Sequence, residues 1–219
     1  MTLTLYYHPL SSYCWKALIA FYENDVAFDG VIVDFGDEKS AAEFKKLWPI
    51  GKFPVVRDEA RDHLVPESTT VVEYLAQHYL GKSTLVPEDA DLGRQARFHD
   101  RFFDNYVMTP MQKIVGDRLR PAGARDPHGV GEARALLETA LSMVDGRMAE
   151  RRWALGEIFT LADVAAAPAL HYANKVAPFE GRHDVSARYL ERLKKRPSFA
   201  RVLAEAEPYA HLFPAGDVA

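Results

Sequence analysis

Residues 3–22 switch once from the period of a strand to the period of a helix, and that switch narrows the folds open to this chain. Leu3, Leu5 and Tyr7 alternate with Thr4 and Tyr6, as one face of a strand requires. The turn His8-Pro9-Leu10 follows, and Ser11-Ser12-Tyr13-Cys14 then leads into Trp15, Leu18, Ile19 and Tyr22 at helical spacing. The chain thus sets two hydroxyls at a helix start, where the first backbone N–H groups lack intrahelical partners and the dipole adds partial positive charge. An anion, a thiolate included, can be held there beside the serines. A serine serving only as an N-cap reads the same way locally.

The next elements extend this start into a βαβ unit. Val26-Ala27-Phe28 and Val31-Ile32-Val33 predict a second strand region interrupted at Asp29-Gly30, and a parallel pairing with the first strand completes the unit. Ser40-Ala41-Ala42-Glu43 has the form of a capping box opening a short helix with Phe44, Leu47 and Trp48, which Pro49 and Gly51 end. Residues 53–57 and 63–65 predict a hairpin around a charged turn, and 69–80 a helix that Gly81 stops. The order is β-α-β-α-β-β-α. From Leu92 onward helical periodicities dominate, at about 91–119, 132–150, 161–175, 185–195 and 198–206. Residues 121–131 read as a loop, Pro110 as a kink, and Thr160-Leu161-Ala162-Asp163 as a capping box. An acid in a first helical turn is a stability feature. The expected division is 1–81, a linker at 82–91, and 92–219.

Composition excludes several classes. The 27 basic and 31 acidic residues nearly balance, at net −4, and no basic run argues for nucleic acid or an anionic membrane as partner. No uncharged run exceeds the fifteen residues of 1–15, and the one at 164–174 has eleven, both short of the ~20 a spanning helix needs. No basic segment precedes an apolar one at the N-terminus, so no signal peptide is expected. One cysteine excludes an internal disulfide framework. The expected protein is cytoplasmic, without a metal or a resident cofactor.

Four segments, in order and spacing, resemble the glutathione transferases: Leu5-Tyr6-Tyr7-His8-Pro9-Leu10-Ser11-Ser12-Tyr13-Cys14, Pro49-Ile50-Gly51-Lys52-Phe53-Pro54-Val55-Val56, Glu67-Ser68-Thr69-Thr70-Val71-Val72-Glu73-Tyr74-Leu75, and Phe159-Thr160-Leu161-Ala162-Asp163-Val164. The resemblance covers about residues 3–207. It implies a thioredoxin-like N-terminal domain joined to an all-α helical-bundle C-terminal domain, a homodimer, and glutathione as co-substrate. Ser11 with Cys14 is similar to the serine-type classes. Ser11-Ser12 followed by Trp15-Lys16 is similar to the zeta isomerases.

By that resemblance Glu67 pairs with the α-ammonium of glutathione, while the Ser68 hydroxyl and N–H hold its γ-glutamyl carboxylate. Pro54 follows a cis bond, and the backbone of Phe53 pairs with the cysteinyl part of glutathione. Lys52 reaches the glycine carboxylate, with Lys39 as alternative. Ser11 is the first candidate to donate to the thiolate and Ser12 the second, neither as a covalent nucleophile. Cys14 is expected to be packing. Leu10, Phe103, Tyr106 and Met111 are candidate walls for a hydrophobic electrophile, although aromatic and Met residues at helical spacing also pack cores. The implied reaction is thiolate addition to such electrophiles. A glutathione-dependent cis-trans isomerase, a thiol-disulfide reductase and a non-catalytic glutathione-binding module are the alternatives.

Overall fold

In the computed structural model, which describes residues 3–79 and 81–214, the chain packs into two compact units. The first runs to Val86 and also takes in Ser198–Tyr209; the second holds the intervening helices.

Strand β1 (Leu3–Tyr7), helix α1 (Ser12–Glu23) and strand β2 (Asp29–Ile32) form the expected βαβ unit, with β1 and β2 parallel. Asp29 and Gly30 belong to β2 instead of interrupting it, and Phe28 lies just before it, its ring 4.5 Å from that of Phe21. Helix α2 (Glu38–Leu47) starts upstream of the expected capping box. Asp37 accepts from the Lys39 N–H at 3.0 Å and so fixes an earlier start, while Ser40 Oγ accepts from the Asp34 N–H at 3.0 Å. Strands β3 (Val55–Asp58) and β4 (His63–Pro66) form the hairpin, and α3 (Ser68–His78) follows. The sheet order is β2-β1-β3-β4, with both β3 pairings antiparallel.

Alternation along β1 sorts its side chains between the two faces. Tyr6 faces Val33, Phe44 and Val55, under α2. Leu3 and Leu5, buried, point the opposite way, and on the helical side α1 packs on α3, which in turn packs on β3 and β4. Gly81, the expected stop of α3, sits where a Cβ would lie 2.6 Å from the Asn24 carbonyl oxygen. The backbone approach itself therefore excludes a side chain.

In the helical unit, α4 (Ala90–Phe102) leads through a π-helical segment, Phe103–Met108, into α5 (Thr109–Arg118). The single long helix expected at 91–119 is broken by widened turns before Pro110. Pro110 falls in the first turn of α5, where a missing N–H removes little. Helix α6 (Pro127–Met148) starts inside the expected loop 121–131, because Asp126 accepts from the Gly129 N–H at 2.8 Å and proline takes the first helical position. Only a 3₁₀ turn, Ala122–Ala124, precedes it. Helix α7 (Leu161–Val176) is buried almost all round, and α8 (Asp184–Lys194) packs on α6 and α7.

Helix α9 (Pro197–Ala206) differs most from the sequence reading of the domains, since nearly all of it belongs to the first unit. Phe199 meets Trp15 edge-on at 5.8 Å, Ser198 donates to Glu23 at 2.5 Å, and the Arg201 guanidinium lies 4.0 Å from the centre of the Tyr22 ring. Tyr22 and Arg201 both hydrogen-bond Glu205, at 2.5 and 2.8 Å.

Candidate functional site

Strand register brings the sequence motifs together. Tyr6 pairs with Val55, and Val55 with Pro66. The loop after β1, the segment entering β3 and the residue after β4 therefore share one end of the sheet. Ser11, the Phe53-Pro54 pair, Glu67 and Ser68 all stand there. The link between the helices is direct: buried Lys16, in α1, donates through Nζ to Thr69 Oγ1 at 3.1 Å, in the first turn of α3. Sequence reading used Lys16 only as part of a motif. A buried lysine aimed at a neighbouring helix has no local signature.

The loop 8–11 is held by its own hydrogen bonds. Trp15 Nε1 donates to the Pro9 carbonyl at 2.5 Å, Ser11 N–H to the His8 carbonyl at 2.9 Å, and Leu10 N–H to His8 Nδ1 at 3.2 Å. The His8 ring lies between Phe53, stacked at 6.1 Å, and Tyr209, edge-on at 6.1 Å. Burial pushes the His8 pKa down, with the Asp34 carboxylate acting weakly in the other sense. His8 was not singled out as a site residue, since only its ring contacts mark it.

Ser11 is the N-cap of α1, and its Oγ accepts from the Cys14 N–H at 3.3 Å. The cap occupies a lone pair of the hydroxyl and leaves its O–H able to donate, so capping and thiolate binding are compatible roles. Ser11 is half-buried, whereas Ser12, the first residue of α1, is 5% exposed. Cys14 is fully buried, and that burial pushes its thiol up to about 12 against hydrogen bonds from Ser11 and the His8 backbone. A thiol held so high stays protonated and inert near neutrality.

The Phe53–Pro54 bond is cis. The Phe53 ring stacks on Phe35 at 5.2 Å. Glu67, the N-cap of α3, has φ 70 and ψ 129 and makes no side-chain cap bond. The other two described non-glycine residues with positive φ, Asp25 and Asp62, lie beside α1 and in the β3–β4 turn. A glutamate held in this region costs about 1–3 kcal/mol and persists only where the surroundings impose it, commonly at binding sites. Ser68, the first residue of α3, is buried. Lys52 and Lys39 are both exposed. Among the described residues no group of three or more His, Cys, Asp or Glu side chains could hold a metal ion, and no described helix is long and apolar enough to cross a membrane.

The four residues expected to wall an electrophile pocket are not brought together in the same way. Leu10 is half-buried in the loop of the first unit. Met111 is 4% exposed in the interior of the helical unit, Phe103 lines a cavity within that unit, and Tyr106 is 46% exposed with its ring 5.6 Å from Phe102.

The mixed four-stranded sheet with two helix starts at one end is thus followed in sequence by a helical unit. The chain matches the family "Glutathione S-transferase, N-terminal domain" over residues 5–83 and "Glutathione S-transferase, C-terminal domain" over residues 115–205. It belongs to the glutathione S-transferase superfamily and has the thioredoxin-like fold of its members. It is 32% identical over 136 residues to the glutathione S-transferase-like protein LUC7 of Fusarium sp, spanning 62% of this chain and 61% of that protein. It is 29% identical over 214 residues to glutathione S-transferase 3 of Zea mays, covering 92% and 93% of the two. The crystal structure of a glutathione S-transferase from Methylobacillus flagellatus with GSH bound superposes with a TM-score of 0.83 at 25% identity, over 91% of this chain and 98% of that one.

Proposed function

We propose that this protein is a glutathione transferase, binding glutathione at the sheet end occupied by Ser11, Phe53, Glu67 and Ser68 and adding its thiolate to hydrophobic electrophiles. The observation that carries the reading is the backbone of Glu67. Its φ of 70 turns the residue immediately before the buried Ser68, so a carboxylate and a helix N-terminus are presented side by side, as an amino acid's ammonium and carboxylate require.

Activation of the thiol follows from the start of α1. A free thiol has a pKa of ~8.5, and lowering it by two units takes ~2.7 kcal/mol of preferential binding of the anion. The Ser11 O–H together with unpaired N–H groups of the first helical turn supplies an interaction of that order. The half-buried position of Ser11 favours it over Ser12 as donor. A homodimer and a detoxifying role in the cytoplasm are the implied setting.

The test is the pH profile of thiolate absorbance at saturating glutathione. Ser11→Ala should raise the pKa of bound glutathione and cut kcat/KM at neutral pH by at least about tenfold, with little loss of glutathione affinity. Cys14→Ser should leave most of the activity. A shift in Ser12→Ala with none in Ser11→Ala would move the role to Ser12 and favour isomerisation, assayed alongside. Loss of activity in folded Cys14→Ser alone would sink the mechanism.

A further inference from the structure

Two segments of the helical unit, 147–159 and 188–196, carry eight arginines and lysines against three glutamates, in a chain whose net charge is −4. One of those glutamates, Glu191, is taken up by Lys194 at 2.7 Å. The structure folds the two segments onto one loop. Arg147, through Nε and Nη2, and Arg151, through Nη1, donate to the same Ala154 carbonyl at 3.1, 3.0 and 3.4 Å. Arg192, in α8, donates to the Arg152 and Arg151 carbonyls at 2.7 and 3.3 Å. The guanidiniums of Arg152, Arg192 and Arg196 lie 5.8, 5.9 and 5.5 Å from the centre of the Trp153 ring, and that of Arg196 lies 3.7 Å from the centre of the Phe159 ring. Arg188 and Lys195 stand four residues before and three after Arg192 and so continue its side of α8, Lys195 as the C-cap. Arg151, Arg152, Arg188 and Lys195 are exposed.

Crowded cations repel one another, and burial followed by the Arg151 charge pushes the Arg147 pKa down. A negative ligand relieves that repulsion. A guanidinium has five N–H donors, and the loop carbonyls take one or two from each of Arg147, Arg151 and Arg192. They fix the forks without filling them, which suits bidentate carboxylates. We propose that this face binds an acidic peptide segment of a partner protein, through a short run of Asp or Glu residues laid along α8. The helix, 11 residues long, spans about 16 Å, the reach of about five extended residues. Nucleic acid fits less well. Trp153 is 6% exposed and Tyr189 is at 0%, so these rings beneath the arginines offer no open face to a base. The remainder of the chain carries an excess of acid, which repels a polyanion longer than the patch. Among the described residues of the two segments, Ile158 is the exposed large hydrophobic, at 48%, too little apolar surface for membrane insertion. The surface draws on no residue of the sheet end and stands whether or not the transferase reading does.

Calorimetric titration with pentaglutamate, without glutathione, tests it. Wild-type protein should bind the peptide saturably with Kd of about 1 mM or tighter at about 50 mM NaCl, and lose most of that affinity at about 500 mM. Arg152→Glu/Lys195→Glu, at two exposed positions, should weaken binding by at least about tenfold, and Arg188→Glu alone by at least about threefold, both with Tm near wild type. Lys45→Glu/Lys46→Glu, the same charge change made on α2 of the other unit, should leave peptide affinity unchanged. Absence of saturable pentaglutamate binding in wild type overturns the proposal. Unchanged affinity in the folded Arg152→Glu/Lys195→Glu and Arg188→Glu variants overturns it too, as does an equal loss in the α2 variant, which would make the attraction one of net charge alone. Tighter binding of a five-nucleotide DNA strand or of phosphatidylserine vesicles than of pentaglutamate would assign the face to a nucleic acid or a membrane and overturn it equally.

Discussion

Replacement of Asp163 should be far more costly than its place in a capping box indicates. Both halves of the box are formed, with the Thr160 N–H donating to Asp163 Oδ2 at 2.9 Å. The other oxygen does separate work: Oδ1 accepts from the Ala154 N–H at 2.8 Å and from the Tyr189 hydroxyl at 2.6 Å. Asp163, Thr160 and Tyr189 are all at 0% exposure. Loss of a cap alone costs ~1 kcal/mol. Asp163→Ala also strands two buried donors, at about 1–3 kcal/mol each, for a sum of about 3–7 kcal/mol against the 5–15 kcal/mol stability usual for a protein. Asp163→Asn keeps a carbonyl acceptor and should cost about 1–3 kcal/mol. Urea unfolding followed by tryptophan fluorescence measures both. In a Tyr189→Phe background the cost of Asp163→Ala should fall by at least about 1 kcal/mol, since one stranded donor is gone. A cost of Asp163→Ala below about 1 kcal/mol, or strict additivity with Tyr189→Phe, would refute the reasoning. Folded Asp163→Asn should turn over glutathione and an electrophile with kcat near wild type.

Glu67→Gln and Ser68→Ala should each weaken glutathione binding by about 1–3 kcal/mol in calorimetry, and unchanged affinity in both would remove them from the site. Glu67→Gly should lose affinity yet gain up to about 1 kcal/mol of stability, because glycine accepts φ 70 without strain; a less stable variant would show that the backbone is unstrained. Asp58 gives a pH dependence of defined sign. Burial pushes its carboxyl up, but hydrogen bonds from Tyr79, Tyr74 and the Arg61 and Ala60 amides prevail and hold it below the ordinary value. The group therefore adds stability above its unfolded pKa of ~3.9, and that stability is lost as pH falls through the lower folded value. Tyr74→Phe should be less stable at neutral pH and lose less on acidification below about pH 4, as read from Tm against pH; an equal loss would exclude Asp58 as the source.

Periodicity and turn chemistry made the first eighty residues legible in detail, because each strand and helix there carries its own local signal. Errors fell where two local signals competed. Asp37 stood three residues ahead of Ser40 and took the cap of α2, and Pro127 opened a helix in a stretch whose glycines suggested a loop. The π-helical segment before Pro110 has no pattern of its own, since its widened turns arise from packing. Placement of α9 with the first unit depends on Phe199 meeting Trp15, a contact between residues far apart in sequence. At the site, Ser11, Phe53-Pro54, Glu67 and Ser68 were readable as motifs. His8 and Lys16 were not, because their roles lie in a ring stack and a cross-helix hydrogen bond.

The register that sets Tyr6 against Val55 and Pro66 also divides the sheet into a guarded end and a permissive one. One residue inserted in β3 or β4 would turn every following side chain to the opposite face and carry Phe53 or Glu67 away from the start of α1. The turn joining those strands, Glu59 to Asp62, lies at the far end, exposed, with the Asp58–His63 pairing between it and the core of the sheet. Length there can change at a cost that grows only slowly with loop size. A peptide tag or fluorescent reporter placed between Ala60 and Arg61 would disturb their amide hydrogen bonds to Asp58 yet ride on the sheet without entering the geometry of the proposed thiol activation.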